Sequence, residues 1–326
     1  MMQIGLVGLG AGAAAALLFA SLTTGSLLSV FLFYLAPLPV LIAGLGWSHW
    51  SALVGAICGA LAIAAMFGTM YFFAFLASAG LPAWWLSYLT LLARPAATGG
   101  NGAAPTLEWY PPGRLVMWAA TLAVLMVAVG ILYSGPDVDS FRAHMHKTLA
   151  ALFRAETGKP AGQPLSIPGH DPQRLIDFLV EALPPAAAII ATTTSVINLW
   201  LAARIVKFSG RLKRPWPEIA GLTFPRPLAG ALLVAAGLSF VGGMVGILAG
   251  VAAAGLLMAY CVLGFAVLHT VTQGNGARGF LLGGAYAAVL VFGWPILALC
   301  LLGFAETVFG LRARFAGRRG PPPIHS

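Results

Sequence analysis

Long apolar runs separated by short polar gaps set the rhythm of this chain. Residues 4–22 form the first run and residues 27–47 the second. Roughly 20 apolar residues, at a rise of about 1.5 Å each, cross the hydrocarbon of a bilayer as a helix. Each run therefore predicts a membrane-spanning helix, the second bent or loosened by Pro37 and Pro39. Residues 49–94 are too many for one span. Two helices turning near Gly68 would use them. So would one long helix to Ala79 followed by an interfacial segment, because Pro82, Trp84, Trp85 and Tyr88 suit headgroup depth.

A Gly-, Ala- and Pro-rich loop follows over 95–113, then a clear span over 115–133. The one sizeable polar segment is 134–183. In it Phe141, Met145, Leu149 and Leu152 recur at helical spacing and predict an amphipathic helix. Asp171-Pro172 reads as the N-cap and first residue of a second short helix. Pro184 and Pro185 then open a span ending near Lys207. Residues 228–272 hold two spans, and 280–311 two short ones divided near Trp294-Pro295. The fold class is all-α, a polytopic transmembrane bundle of about eight to ten spans. Its parts are an N-terminal bundle over 1–133, an amphipathic insertion over 134–183, a C-terminal bundle over 184–315 and a disordered basic, Pro-rich tail over 316–326.

Composition turns this pattern into a statement about solvent. Only 8% of the 326 residues are charged and 60% are hydrophobic. A soluble domain carries about 25% charged residues, so lipid must solvate this surface. The net charge of +9 is placed as the positive-inside pattern requires. The excess lies in Lys207, Arg211, Lys213, Arg214 and Arg226, and in Arg312, Arg314, Arg318 and Arg319. These short loops predict a cytoplasmic C-terminus, an extracytoplasmic 134–183 segment and a multi-pass protein of the bacterial inner membrane. They offer no aromatic-interleaved basic surface for nucleic acid. The N-terminus has no basic n-region, so residues 4–22 read as a retained span. Cys58, Cys261 and Cys300 sit in apolar runs without paired spacing and read as buried small residues.

Small residues at a spacing of four mark helix-packing faces. Gly8 and Gly12, Ala11 and Ala15, and the series Gly242, Gly246, Gly250 and Ala254 have that spacing. Internal packing is the expected use.

The C-terminal third has a recognisable sequence pattern. Val267-Leu268-His269, Gly276-Ala277-Arg278, Tyr286, Trp294-Pro295, Gly303, Glu306 and Gly310-Leu311-Arg312 resemble the closing pattern of the YybS-like family of bacterial multi-spanning membrane proteins. Glu108-Trp109-Tyr110-Pro111, Asn198-Leu199 through Arg204, and Ser209-Gly210-Arg211-Leu212 to Pro215-Trp216-Pro217 resemble its proteobacterial members. The resemblance implies a fold class rather than a reaction. The family is distantly similar in helical pattern to the substrate-binding subunits of energy-coupling-factor transporters. There an Ala-xxx-Ala face on the first helix docks a partner membrane subunit, and Ala11 and Ala15 match that spacing.

Ionisable or polar groups inside apolar spans are the candidates for chemistry. Thr192, Thr193, Thr194, Ser195 and Asn198 form a polar patch, either bonded to neighbouring helices or lining a solute pocket. His269, Arg278, Glu306 and Arg312 are expected toward the cytoplasmic face, with Glu306 needing a cationic partner from Arg312 or Arg278. Pro184 and Pro185, as a helix start, would expose amides able to receive a carboxylate. His49, flanked by Trp47 and Trp50, reads as interfacial. His144 and His146 are two apart and diverge on a helix; with His170, Asp137 and Asp139 they do not make a metal site. No phosphate loop, zinc-protease motif or nucleophile elbow appears, so an enzyme is not expected and no cofactor is implied. Two functions remain. One is transporter-like binding of a small neutral or amphipathic solute. The other is a non-catalytic envelope scaffold or partner subunit that binds lipid and other membrane subunits.

Overall fold

The computed structural model describes residues 2–96, 107–158 and 171–317. Helix α1 is Met2–Ala20, extended by a 3-10 turn to Thr24. Gly25, at φ +66°, turns the chain, and the Ser26 hydroxyl accepts the Ser29 N–H to open α2, Leu27–Tyr34. The chain breaks at Leu35 and Ala36 before α3, Pro37–Gly46, because Pro37 cannot donate to the preceding turn. Ser48 caps α4, His49–Phe67. Gly68, at φ +100°, separates it from α5, Thr69–Phe75. Of the two arrangements open for 49–94, the paired helices turning at Gly68 are the one formed. A π-helical turn, Leu76–Gly80, joins α5 to α6, Leu81–Thr90.

A short two-stranded ladder follows. Strands β1, Ala93–Pro95, and β2, Leu107–Trp109, pair antiparallel with Arg94 opposite Glu108. The Arg94 guanidinium holds the Glu108 carboxyl below the usual carboxylate range. Helix α7 is Pro112–Ser134 and α8 Val138–Thr157. Asp137 caps α8, and the N–H and hydroxyl of Ser140 lower its pKa. Helix α9 is Pro172–Phe208, α10 Pro227–Leu238, α11 Gly243–Val271, α12 Arg278–Phe292, α13 Pro295–Phe309 and α14 Leu311–Gly317. Helix α14 takes in the start of the expected tail; 318–326 lie outside the described residues.

Among the described residues, seven helical segments are long and apolar enough to cross a membrane, and α10, α12 and α13 are shorter apolar helices. The protein is thus an all-α polytopic helix bundle. Its apolar outer faces, such as Leu17, Phe73, Val129 and Leu301, are exposed as lipid-facing side chains must be.

The helix starting at Pro184 is corrected by the structure. Helix α9 runs 37 residues through Pro184 and Pro185 without a break. The boundary drawn between 183 and 184 therefore lies inside one helix, and no free helix N-terminus exists there to receive a carboxylate. Two prolines remove only two donors of the ladder, and burial of Val180, Pro184 and Ala188 on one face keeps the axis going.

Side-chain ties orient the bundle. Lys213 donates to Trp47 O at 3.2 Å, and Arg214 to Thr90 O and Tyr110 O. The ends of α3 and α6, the start of α7 and the 209–226 loop therefore share one end, the basic end. Helix α8 packs on Ile131, Ile176, Val180 and Val251 through Phe141 and Leu149 at the other.

Glycines decide which helices touch. A Cβ on Gly8 would lie 2.8 Å from Ser51 O, and one on Gly12 2.6 Å from Gly55 O, so α1 and α4 meet backbone to backbone. Ala15 is fully buried, and Ala11 lies beside Gly55 on that same contact. The Ala-xxx-Ala face is thus occupied within the chain. The ladder of Gly242, Gly246, Gly250 and Ala254 is not the close-approach face of α11. Gly242 is the turn residue at φ +78° with open space around it, and Gly250 reaches only Ser239 Cβ at 3.9 Å. Gly246 comes nearest, 3.3 Å from Ser239 O, while Ala254 is buried. The tight contacts are Gly255 against Val124, at 2.6 Å, and Gly264 against Leu299 O. Gly255 and Gly264 are nine residues apart, about half a turn out of phase, so α11 is gripped from opposite sides.

The last helices depart from the expected pair of short crossings. Leu299 meets Gly264 and Gly303 meets Tyr260, so α13 runs antiparallel to α11. Helix α12 touches the end of α11 through Tyr286, stacked 4.8 Å from Phe265, and has no buried residue. At 15 residues each, these helices are about 22 Å long, short of the roughly 30 Å hydrocarbon. Their division at Gly293-Trp294 leaves the turn beside the end of α11, not on the far side.

Candidate functional site

The polar patch on α9 does not converge on one place. A helix turns about 100° per residue, so successive hydroxyls look in different directions. Thr192 is fully buried, donates to Ala188 O at 2.7 Å and packs beside Gly255. Asn198, 1% exposed, donates from Nδ2 to Tyr34 O at 2.8 Å and Thr194 O at 2.9 Å. Tyr34 ends α2, so Asn198 supplies the donor that the break before Pro37 withholds. Thr193 turns toward one cavity, Thr194 and Ser195 toward another.

That second cavity, about 370 Å³, lies among α2, α3, the π-helical turn, α7 and α9. Ala36 and Pro37 line it from the helix break, and Ala77, Ser78 and Ala79 from the π turn. Ser78 bonds back to Ala74 O at 2.6 Å. Thr194 and Ser195 face it from α9, and among the described residues no charged side chain lines it. Irregular backbone inside a span persists only where protein or a cavity satisfies it, and π turns gather at functional sites.

The ionisable residues of the last third separate into different settings. Glu306 and Arg312 pair at 2.8 Å with side chains 11% and 10% exposed. The Arg312 N–H donates to Glu306 Oε2 at 2.9 Å, and its guanidinium to Leu222 O at 2.8 Å. This closes the Gly310 turn, at φ +62°, and ties it to the 209–226 loop. Arg278 starts α12 and does not take part in that pair. His269 meets Phe265 O at 3.1 Å and the Tyr286 ring. His49 lies against the rings of Trp50 and Tyr88. His146 pairs with Asp177 at 3.1 Å, and His170 lies outside the described residues.

Sequence reasoning passed over Arg214, which counted only as one of the loop's positive charges. Of the bases in 209–226, Arg211, Lys213 and Arg226 are exposed, whereas Arg214 is 8% exposed. It lines the larger cavity, about 530 Å³, with Thr193, Trp200, His269 and Tyr286. Burial pushes its guanidinium below the usual pKa. The signal in the sequence was its neighbourhood: an Arg one residue before Pro215-Trp216-Pro217, stiff and apolar enough to fold the loop back onto the bundle.

The helices, the uncharged inner cavity and the lipid-facing exterior define the class as a polytopic integral membrane protein. The chain belongs to the predicted membrane protein family DUF2232, whose model matches residues 13–306. No curated protein and no solved structure matches it.

Proposed function

We propose that this protein is a transporter-like, non-enzymatic inner-membrane protein that holds a small neutral or amphipathic solute in the 370 Å³ cavity. The observation behind this reading is the meeting of two helix irregularities, at Ala36-Pro37 and at the π turn, with the Thr194 and Ser195 hydroxyls on one uncharged wall. Membrane-embedded binding sites are built from broken helices in this way. A few hydroxyls among apolar groups orient a ligand without demanding charge. The resemblance to substrate-binding subunits of energy-coupling-factor transporters favours the same reading. Charge asymmetry favours a cytoplasmic basic end.

The test is to purify the protein from native membranes into nanodiscs and identify released small molecules by mass spectrometry. Binding of the identified solute is then measured for wild type and for Thr194→Val/Ser195→Ala. Loss of two neutral hydrogen bonds should weaken binding about tenfold or more, with melting nearly unchanged. Unchanged affinity would place the solute elsewhere. If no molecule is retained and none shifts the melting temperature, the partner-subunit reading replaces this one.

A further inference from the structure

We infer that the 530 Å³ cavity is a site for an amphiphile with one anionic headgroup and an apolar chain, the headgroup being neutralised by Arg214. Arg214 lies on the cavity wall, nine-tenths buried. Its Nη1 and Nη2 reach only the backbone carbonyls of Thr90 and Tyr110, at 3.4 and 3.2 Å, and its Nε has no acceptor. Among the described residues no carboxylate lies within ion-pair distance of it. The other buried arginine of the basic end, Arg312, has Glu306. Glu218 lines the same cavity but is exposed and leaves Arg214 unpaired. A buried guanidinium has five donors and is costly to leave without a counter-charge. A carboxylate or phosphate would meet both needs.

The rest of the wall selects the chain. Ile197, Trp200, Met258, Val262 and Phe265 are apolar, and the volume suits one small amphiphile. Ile197 and Trp200, both on α9, are also 48% and 52% exposed. The cavity is therefore continuous with the surface that meets lipid, while Glu218 and Ile219 open on the loop side. A chain can enter from the bilayer with its headgroup left at Arg214. This site is distinct from the uncharged cavity and stands or falls independently of the function proposed for it.

The experiment uses the full chain in nanodiscs of zwitterionic lipid, with decanoate, decanol and acetate as probes. Melting temperature and Trp fluorescence, to which Trp200 and Trp216 on the wall contribute, report binding. Decanoate should bind about tenfold or more tighter than decanol, the size expected of charge-assisted hydrogen bonds, and acetate should not compete. Arg214→Gln should remove the preference and leave decanol binding intact, whereas Arg214→Lys should retain part of it. Val262→Trp, which fills the cavity without touching the charge, should abolish both. Nanodiscs containing phosphatidylglycerol separate the two sources of such a headgroup. Loss of the decanoate response, with one phosphatidylglycerol retained per protein in native mass spectra, identifies a bilayer lipid as occupant. An unchanged response identifies a free acyl carboxylate. Equal binding of decanoate and decanol by wild type, or competition by acetate as strong as by decanoate, overturns the proposal. The wild-type comparison and Val262→Trp decide the matter even if Arg214→Gln does not fold.

Discussion

Gly303→Ala is expected to lower stability by about 3 kcal/mol, the upper end of overpacking costs, and Gly303→Leu to prevent folding. The added Cβ would fall on Tyr260 O and within 2.8 Å of the Gly264 amide nitrogen. Both are backbone atoms and neither can swing away. Helices α11 and α13 would have to separate along their whole contact, which also holds Cys261, Leu299 and Cys300 in a small core. In lipid no hydrophobic force would draw them together again, because tails solvate the parted faces equally well. Gly284→Leu is the control, since nothing lies within 4 Å of its Cβ position. Thermal unfolding in detergent followed by size-exclusion fluorescence reads both. Equal melting of Gly303→Ala and wild type would show that α13 does not dock on α11 as described.

Removing Glu306 should be comparably damaging. Glu306→Gln leaves the Arg312 guanidinium about nine-tenths buried with no carboxylate at its Nε. Breaking one side of a buried pair costs about 3–5 kcal/mol, whereas deleting both sides costs less. Glu306→Gln/Arg312→Met should therefore melt above Glu306→Gln alone. Arg278→Gln, which touches a residue outside the pair, should leave melting within about 0.5 kcal/mol of wild type. Additive effects of the Glu306 and Arg312 changes in the double-mutant cycle would rule out the pair as a stabilising unit.

The candidate sites were legible only in part. Thr194 and Ser195 were visible as hydroxyls in an apolar run, and the structure places both on the uncharged cavity. Their neighbours Thr192 and Asn198 looked equivalent but are turned into helix contacts, Asn198 toward a broken helix 164 positions earlier. No local pattern announces such a partner. Arg214 shows the reverse. Its charge was plain and its use was hidden, because burial depends on where a loop returns rather than on what it contains.

Sequence by itself determined the solvent, the class and most of the helices. Apolar length and the shortage of charge leave lipid as the only medium, and in lipid only segments that satisfy their own backbone can cross. Pro37 likewise interrupts the span it was expected to bend or loosen, and Gly68 makes the turn that was one of two readings of 49–94, since a missing N–H and a positive φ act locally. Tertiary structure alone decided what those helices do to one another. It carried α9 through Pro184 and Pro185, took the close contacts of α11 to Gly255 and Gly264 rather than the regular ladder, and set α13 antiparallel to α11. The reason is physical. When every face of a helix is apolar, hydropathy no longer distinguishes the side that meets a neighbour from the side that meets lipid. Shape then makes the choice, and complementarity of shape belongs to the two surfaces together, not to either stretch of sequence.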